Sequence, residues 1–161
     1  MTTARLHIDA SRREANKRAH TATHLLHARL IGLFPQTHQA GSYVGPDELR
    51  FDFVAERMLT DGELAELTQN INDFIAQGQQ VMTRELPYQE ALQSGAKAFF
   101  EEKYPETVRV VSIPGTRSAQ DVYSLELCGG THVDNTAHIG AFIVTEQTSI
   151  AASTRRIVAL T

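Results

Sequence analysis

With 161 residues, 42% hydrophobic and 21% charged, the chain has an ordinary globular balance and enough length to bury its own core, and is read as a single domain over residues 1–161. A net charge of −4 excludes the strongly basic signature of a dedicated nucleic-acid binder, though not a local basic patch, and a single cysteine excludes an internal disulfide. No apolar run approaches the roughly 18 residues of a membrane span and the N-terminal segment has no apolar signal region, so no membrane association and a cytoplasmic location are expected.

The first predicted element is a helix opened by a capping box, Ser11-Arg12-Arg13-Glu14, and closed before Pro35 at about Leu33. Ala15, Ala19, Ala22, Leu26 and Leu30 recur at helical spacing, and His20, His24, His27 and Ile31 form an adjacent stripe. Arg12, Arg13, Lys17 and Arg18 cluster at its start; they read equally as a solvated face or as phosphate contacts. Residues 38–54 read as a hairpin, with Leu49, Phe51 and Phe53 alternating against Arg50 and Asp52 after the turn Gly45-Pro46-Asp47. Thr60-Asp61-Gly62-Glu63 is a second capping box, and the helix behind it turns Leu64, Leu67, Ile71, Phe74, Ile75 and Val81 to the core. Pro87 can open a short helix, and 96–103 another. Strands are expected at 108–113, 122–127, 139–145 and 156–160, with a polar loop at 114–121. The class is therefore α+β, helices packed on an antiparallel sheet, with no Gly-rich phosphate loop.

His20 and His24 stand four residues apart, so their imidazoles leave one helix face about one turn apart. That pair alone is weak, since histidines at this spacing are common without a metal. Cys128-Gly129-Gly130-Thr131-His132 supplies a second pair, and its glycines let the backbone turn tightly enough for both side chains to face one point. One Cys and three His make a tetrahedral donor set suited to Zn²⁺, and the thiolate disfavours Mg²⁺ and Ca²⁺. Cys128 read as a small buried hydrophobe would leave both the Gly-Gly and His132 unexplained. The helix lacks the His-Glu-x-x-His pattern of zinc peptidases, reading His20-Thr21-Ala22-Thr23-His24 instead. Thr23, beside the second donor, either contacts a substrate or bonds to its own helix backbone.

Several stretches resemble the editing domain of alanyl-tRNA synthetases: His20-Thr-Ala-Thr-His24-Leu-Leu-His27-Ala28, Gln39-Ala-Gly-Ser42, Leu49-Arg-Phe-Asp-Phe53, Gly95-Ala96 and Glu101-Glu-Lys-Tyr104. So do Glu126-Leu-Cys-Gly-Gly-Thr-His-Val133, Ile139-Gly140 and Arg155-Arg-Ile157. The matches keep their order from about Arg12 to Thr161. The same domain occurs in freestanding proteins that edit transfer RNA in trans, with a more distant relative in threonyl-tRNA synthetases. The resemblance implies the synthetase second-additional-domain fold and hydrolysis of the ester in mischarged Ser- or Gly-tRNA for alanine. It implies that His20, His24, Cys128 and His132 hold zinc, and that Thr23 and Gln39 lie in the editing pocket as substrate-binding and catalytic groups. Gly129 and Gly130 are candidate backbone donors to an oxyanion. Arg155 and Arg156, with the basic helix start, are candidate contacts to the acceptor end of an aminoacyl-tRNA.

The chain departs from the family pattern in three respects. It begins almost at the zinc-ligand helix, without the barrel and Gly-Gly-Gln motif of the freestanding members; its initial Met makes a whole small protein the expectation over an excised synthetase domain. The loop before Cys128 is longer, from Thr116 to Tyr123. Ser149 and Ser153 stand where glycines are common, and His138 where Asp is common. Two alternative readings follow. One is a deacylase for a threonine-like or non-proteinogenic amino acid on another tRNA; the other is a non-catalytic, zinc-stapled tRNA-binding module.

Overall fold

The computed structural model describes residues 4–98, 104–116, 118 and 121–161. Helix α1, Ala10–Leu33, is the axis of the fold. It begins one residue before the expected cap: Asp9, not Ser11, accepts from the backbone N–H of Arg12 at 3.1 Å, and Ser11 Oγ itself donates to Asp9. A carboxylate and a hydroxyl cap equally well by composition. Here Glu14 does not reach back to close a box but pairs with Lys17 at 2.7 Å. The helix ends before Pro35 as expected, the Phe34 N–H bonding to Leu30 O.

From Ala19 to Leu30 this helix is buried on most of its circumference, polar stripe included. A helix enclosed in this way must satisfy its polar side chains internally. Thr21 Oγ1 donates to Lys17 O at 2.9 Å, and Thr23 Oγ1 donates to Ala19 O at 2.8 Å.

Strands β1, Gln39–Val44, and β2, Leu49–Val54, form the expected hairpin. The Thr60 capping box is also formed, with Glu63 bonding back, and opens α2, Asp61–Ala76. The helix stops before Val81, which packs against the core from the following segment. Strand β3, Met82–Pro87, leads into the short helix α3, Tyr88–Gln93, which starts at Pro87 as its composition suggests. Strands β4, Thr107–Pro114, and β5, Val122–Leu127, follow, then a 3₁₀ turn at Thr136–Ile139. Strands β6, Ile143–Ala151, and β7, Thr154–Leu160, end the chain.

Two antiparallel sheets result, one ordered β1-β2-β7-β6 and the other β3-β4-β5. Leu49, Phe51, Phe53 and Ile157 from the first sheet meet Leu25, Leu26 and Leu30 of α1 and Leu67, Ile71, Phe74 and Ile75 of α2 in the main core. Each such side chain, fully removed from water, contributes roughly 1.5–3 kcal/mol. In the second sheet the faces divide by alternation. Val108, Val110 and Leu127 pack under α3 with Ala91 and Ala96, whereas Ile113 joins the main core and Glu126 is buried against α1.

Two expected elements differ. The strand expected at 139–145 starts only at Ile143. Asn135 caps the 3₁₀ turn through Ala137 N–H, and Gly140 adopts φ 86°, a left-handed conformation that interrupts a strand. The helix expected at 96–103 is extended at Lys97, which bridges in parallel to Glu126, while residues 99–103 lie outside those described. Among the described residues, no helix is long and apolar enough to cross a membrane.

Candidate metal centre

The four residues singled out by spacing converge. His20 and His24 come from α1, and Cys128 and His132 from the loop leaving β5; one donor atom from each lies within 4.8 Å of all the others. Cys128 Sγ is 3.4 Å from His20 Nε2 and 3.4 Å from His132 Nε2. Zinc bonds of about 2.0–2.3 Å set tetrahedral donors roughly 3.3–3.8 Å apart, so these separations suit one central ion. His24 Nε2 is buried without a hydrogen-bond partner, which a coordinated cation would supply.

Local structure explains the convergence. Gly130 runs so close to the His20 ring that a Cβ there would overlap its Cε1 and Nδ1, so only glycine fits. Arg109, on β4, clamps the loop: its guanidinium donates to Gly130 O and, at 3.3 Å, to Cys128 O, while Cys128 N–H bonds back to Arg109 O at 3.0 Å.

The tautomers are set by outer partners. The Thr21 hydroxyl donates to Lys17 O and accepts from Val133 N–H at 3.2 Å. It can therefore only accept from His132 Nδ1 at 3.3 Å, which leaves the Nε2 lone pair toward Cys128. Glu126 does the same for His24, taking Nδ1–H with one carboxylate oxygen, while its other oxygen takes His27 Nδ1–H at 3.0 Å.

Charge states follow these contacts. Burial opposes a thiolate at Cys128, but its close contacts with the surrounding imidazoles, those of His132 and His20 foremost, override it and bring the thiol down to about 3. Burial lowers His132 to about 4. At neutral pH these two donors are thus already in the forms a metal binds. His24 behaves differently: burial opposes its charge, but the Glu126 carboxylate raises it, so a metal arriving at His24 displaces a proton.

Beside the cluster lies a cavity of about 100 Å³, lined by His20, Thr23, His24, His27, Gln39, Ser42, Val44, Phe51, Glu126, Leu127 and Cys128. The structure thus brings Thr23 and Gln39 together with the donor set. Thr23 spends its proton on Ala19 O, the helix-backbone bond left open by the sequence, and keeps oxygen lone pairs. Gln39 Nε2 donates to Ser42 Oγ at 3.0 Å, leaving Oε1 as an acceptor.

Other candidates stand elsewhere. Gly129 and Gly130 do not line the cavity. Arg155 is buried, and its guanidinium donates to Ser149 Oγ and to the carbonyls of Ala151, Ala152, Thr154 and Glu56. It holds the β6–β7 turn, and a phosphate would have to displace those bonds. Arg156 forms a bidentate pair with Asp52 at 2.7 and 2.8 Å. Ser149, one of the departures noted in the sequence, sits near the end of β6 opposite Arg155, apart from the cavity lining.

Sequence reasoning passed over Glu126, His27, Ser42 and Arg109. Glu126 carried a usable signal, a carboxylate on a strand whose pattern turns that position inward, two residues before the thiol. Arg109 carried none.

The model of the threonyl and alanyl tRNA synthetase second additional domain matches residues 108–158. The alanine–tRNA ligase of Thermotoga maritima is 45% identical over 157 residues, 97% of this chain and 17% of that protein. That of Paracoccus denitrificans is 47% identical over 98% of this chain and 18% of its own length, and that of Listeria innocua 45% over 99% and 17%. The chain therefore spans less than a fifth of the length of these relatives. Residues 108–158 thus match the second additional domain of threonyl and alanyl tRNA synthetases, and nearly the whole chain is similar to one segment of the alanine–tRNA ligases.

Proposed function

We propose that the chain is a zinc-dependent aminoacyl-tRNA deacylase, one editing domain over residues 1–161, that removes serine or glycine wrongly esterified to the alanine tRNA. The observation that carries this reading is a Cys-His₃ donor set opening onto a small cavity shared by Thr23 and Gln39. Val44 and Phe51 wall that cavity, which suits a small aminoacyl group and excludes a bulky one. His20, His24, Cys128 and His132 would hold the zinc, which when bound orients and polarises the substrate.

The chain's own groups do the rest. In the hydrolysis a water oxygen bonds to the ester carbonyl carbon, the bond to the ribose oxygen breaks, and that oxygen takes up a proton given by the water and leaves as the ribose hydroxyl. Gln39 Oε1 is the acceptor that places the water, since its amide nitrogen is held by Ser42. Thr23 Oγ1, with its proton committed to Ala19 O, accepts from a hydroxyl on the substrate side chain.

The donor set also favours a second reading. Four protein donors fill a tetrahedral shell, as in structural zinc sites, which would make the chain a zinc-stapled module that binds tRNA without turnover. The two are separated by incubating metal-loaded protein with Ser-, Gly-, Ala- and Thr-tRNA and threonine analogues on tRNA. Release of serine and glycine from the alanine tRNA, lost with a chelator and sparing Ala-tRNA, is the expected result. Full metal content without any deacylation supports the module, and preferential release of a threonine analogue moves the substrate to another tRNA.

A further inference from the structure

Glu126 is a carboxylate at 4% exposure on β5, and it faces α1 rather than solvent. Both of its oxygens are spent on imidazoles of that helix, one on His24 Nδ1–H and one on His27 Nδ1–H at 3.0 Å. His27 is 2% exposed and packs its ring against Phe51 at 5.2 Å between centroids, so it has little freedom to turn. A buried carboxylate is costly unless fully paired, and a leucine here would serve packing alone at least as well. Its position has one geometric consequence. Holding His24 by Nδ1 fixes both the tautomer and the ring plane, and it directs the partnerless Nε2 toward Cys128 and His132. Charge points the same way: a divalent ion and one thiolate leave one positive charge in a buried site, and Glu126 supplies the balancing negative charge.

We propose that Glu126 and His27 are positioning residues of the metal centre, a chain His27–Glu126–His24 in which His27 anchors the carboxylate and the carboxylate aims the ligand. This rests on the metal reading above, and is separable from it. In this role His27 acts through its bond to Glu126.

Cobalt(II) binding to the full chain tests the proposal, read both as affinity and as the visible spectrum, which reports ligand geometry independently of turnover. His27→Phe fills the space but donates nothing, and Glu126→Gln replaces one of the two accepting oxygens with an NH₂ that faces an imidazole N–H. Each should weaken cobalt binding roughly 10- to 100-fold and shift the spectrum. His27→Asn keeps an N–H near the Nδ1 position and should restore affinity to within a few-fold of the parent. Circular dichroism of the metal-free variants separates loss of aim from loss of fold, and if Glu126→Gln does not fold, the His27 pair carries the test. Parent-like affinity and spectrum in His27→Phe would overturn the proposal, as would an Asn variant no better than the Phe one. Failure of the parent protein to bind cobalt would instead overturn the metal reading itself, and this proposal with it.

Discussion

At the scale of the residue, Thr23 and Cys128 give the most direct tests. Thr23 keeps oxygen lone pairs toward the cavity, so a serine hydroxyl bound there gains an acceptor while a glycyl group gains nothing. Thr23→Val should therefore slow release of serine by the equivalent of about 1–3 kcal/mol and leave release of glycine nearly unchanged. Equal slowing of both, measured as kcat/KM, would show that Thr23 is a packing residue. For Cys128 the thiol falls from the ordinary 9.0 to about 3, so the thiolate persists as the pH drops through neutrality. In metal-free protein its alkylation by iodoacetamide should stay nearly level into strongly acidic solution. A free cysteine, with a pKa of about 8.5, instead slows about tenfold per unit below that value. Added zinc should block the reaction. A rate that follows ordinary cysteine would mean the imidazoles do not hold the thiolate.

At the scale of the element, what was legible in the sequence depended on whether local chemistry or remote contacts decided the outcome. The hairpin, the Thr60 box and the Pro87 helix start were readable because turn and cap residues act within a few positions. Strand β3 was not: Met82, Thr83, Arg84 and Glu85 are all exposed, so no alternation marks it, and pairing with β4 alone makes it a strand. The four donors were readable because spacing on a helix and around a Gly-Gly turn is local. Arg109 was not, since its contact with the Cys128 loop follows from the β4–β5 register. Arg155 shows the converse case: an arginine beside a basic neighbour reads as a phosphate contact, while the carbonyls that occupy it come from the β6–β7 turn and from Glu56, which the sequence does not bring together. Arg155→Met should cost about 2–3 kcal/mol in denaturant unfolding by leaving those carbonyls unpaired. Unchanged stability with weakened tRNA binding would return Arg155 to the nucleic-acid interface.

At the scale of the molecule, a net charge of −4 must coexist with a polyanionic partner if the proposed function is right. With Arg155 and Arg156 both paired within the chain, the proposed function leaves the acceptor end to the first turns of α1. There Arg13, Lys17, His20 and His24 follow one another at helical spacing from the basic start to the donor cluster. Contacts of this type release counterions and read no sequence, so affinity should fall steeply with salt and differ little between tRNA bodies. The measurement is kcat/KM for one amino acid carried on two tRNAs, across a salt series. A large preference for one body that survives high salt would place recognition elsewhere, for instance on the 114–121 loop.

The donor set joins the two ends of the fold: His20 and Cys128 are 108 positions apart in sequence. A chain growing from its N-terminus exposes the His20–His24 pair long before the thiolate exists, and two imidazoles alone hold an ion weakly. In the proposed reading, metal capture waits until the second sheet has been made and has closed on α1, at the entropic cost of a long loop. A chain cut short anywhere before β5 has half a site, and a complete donor set requires that the second sheet has met α1.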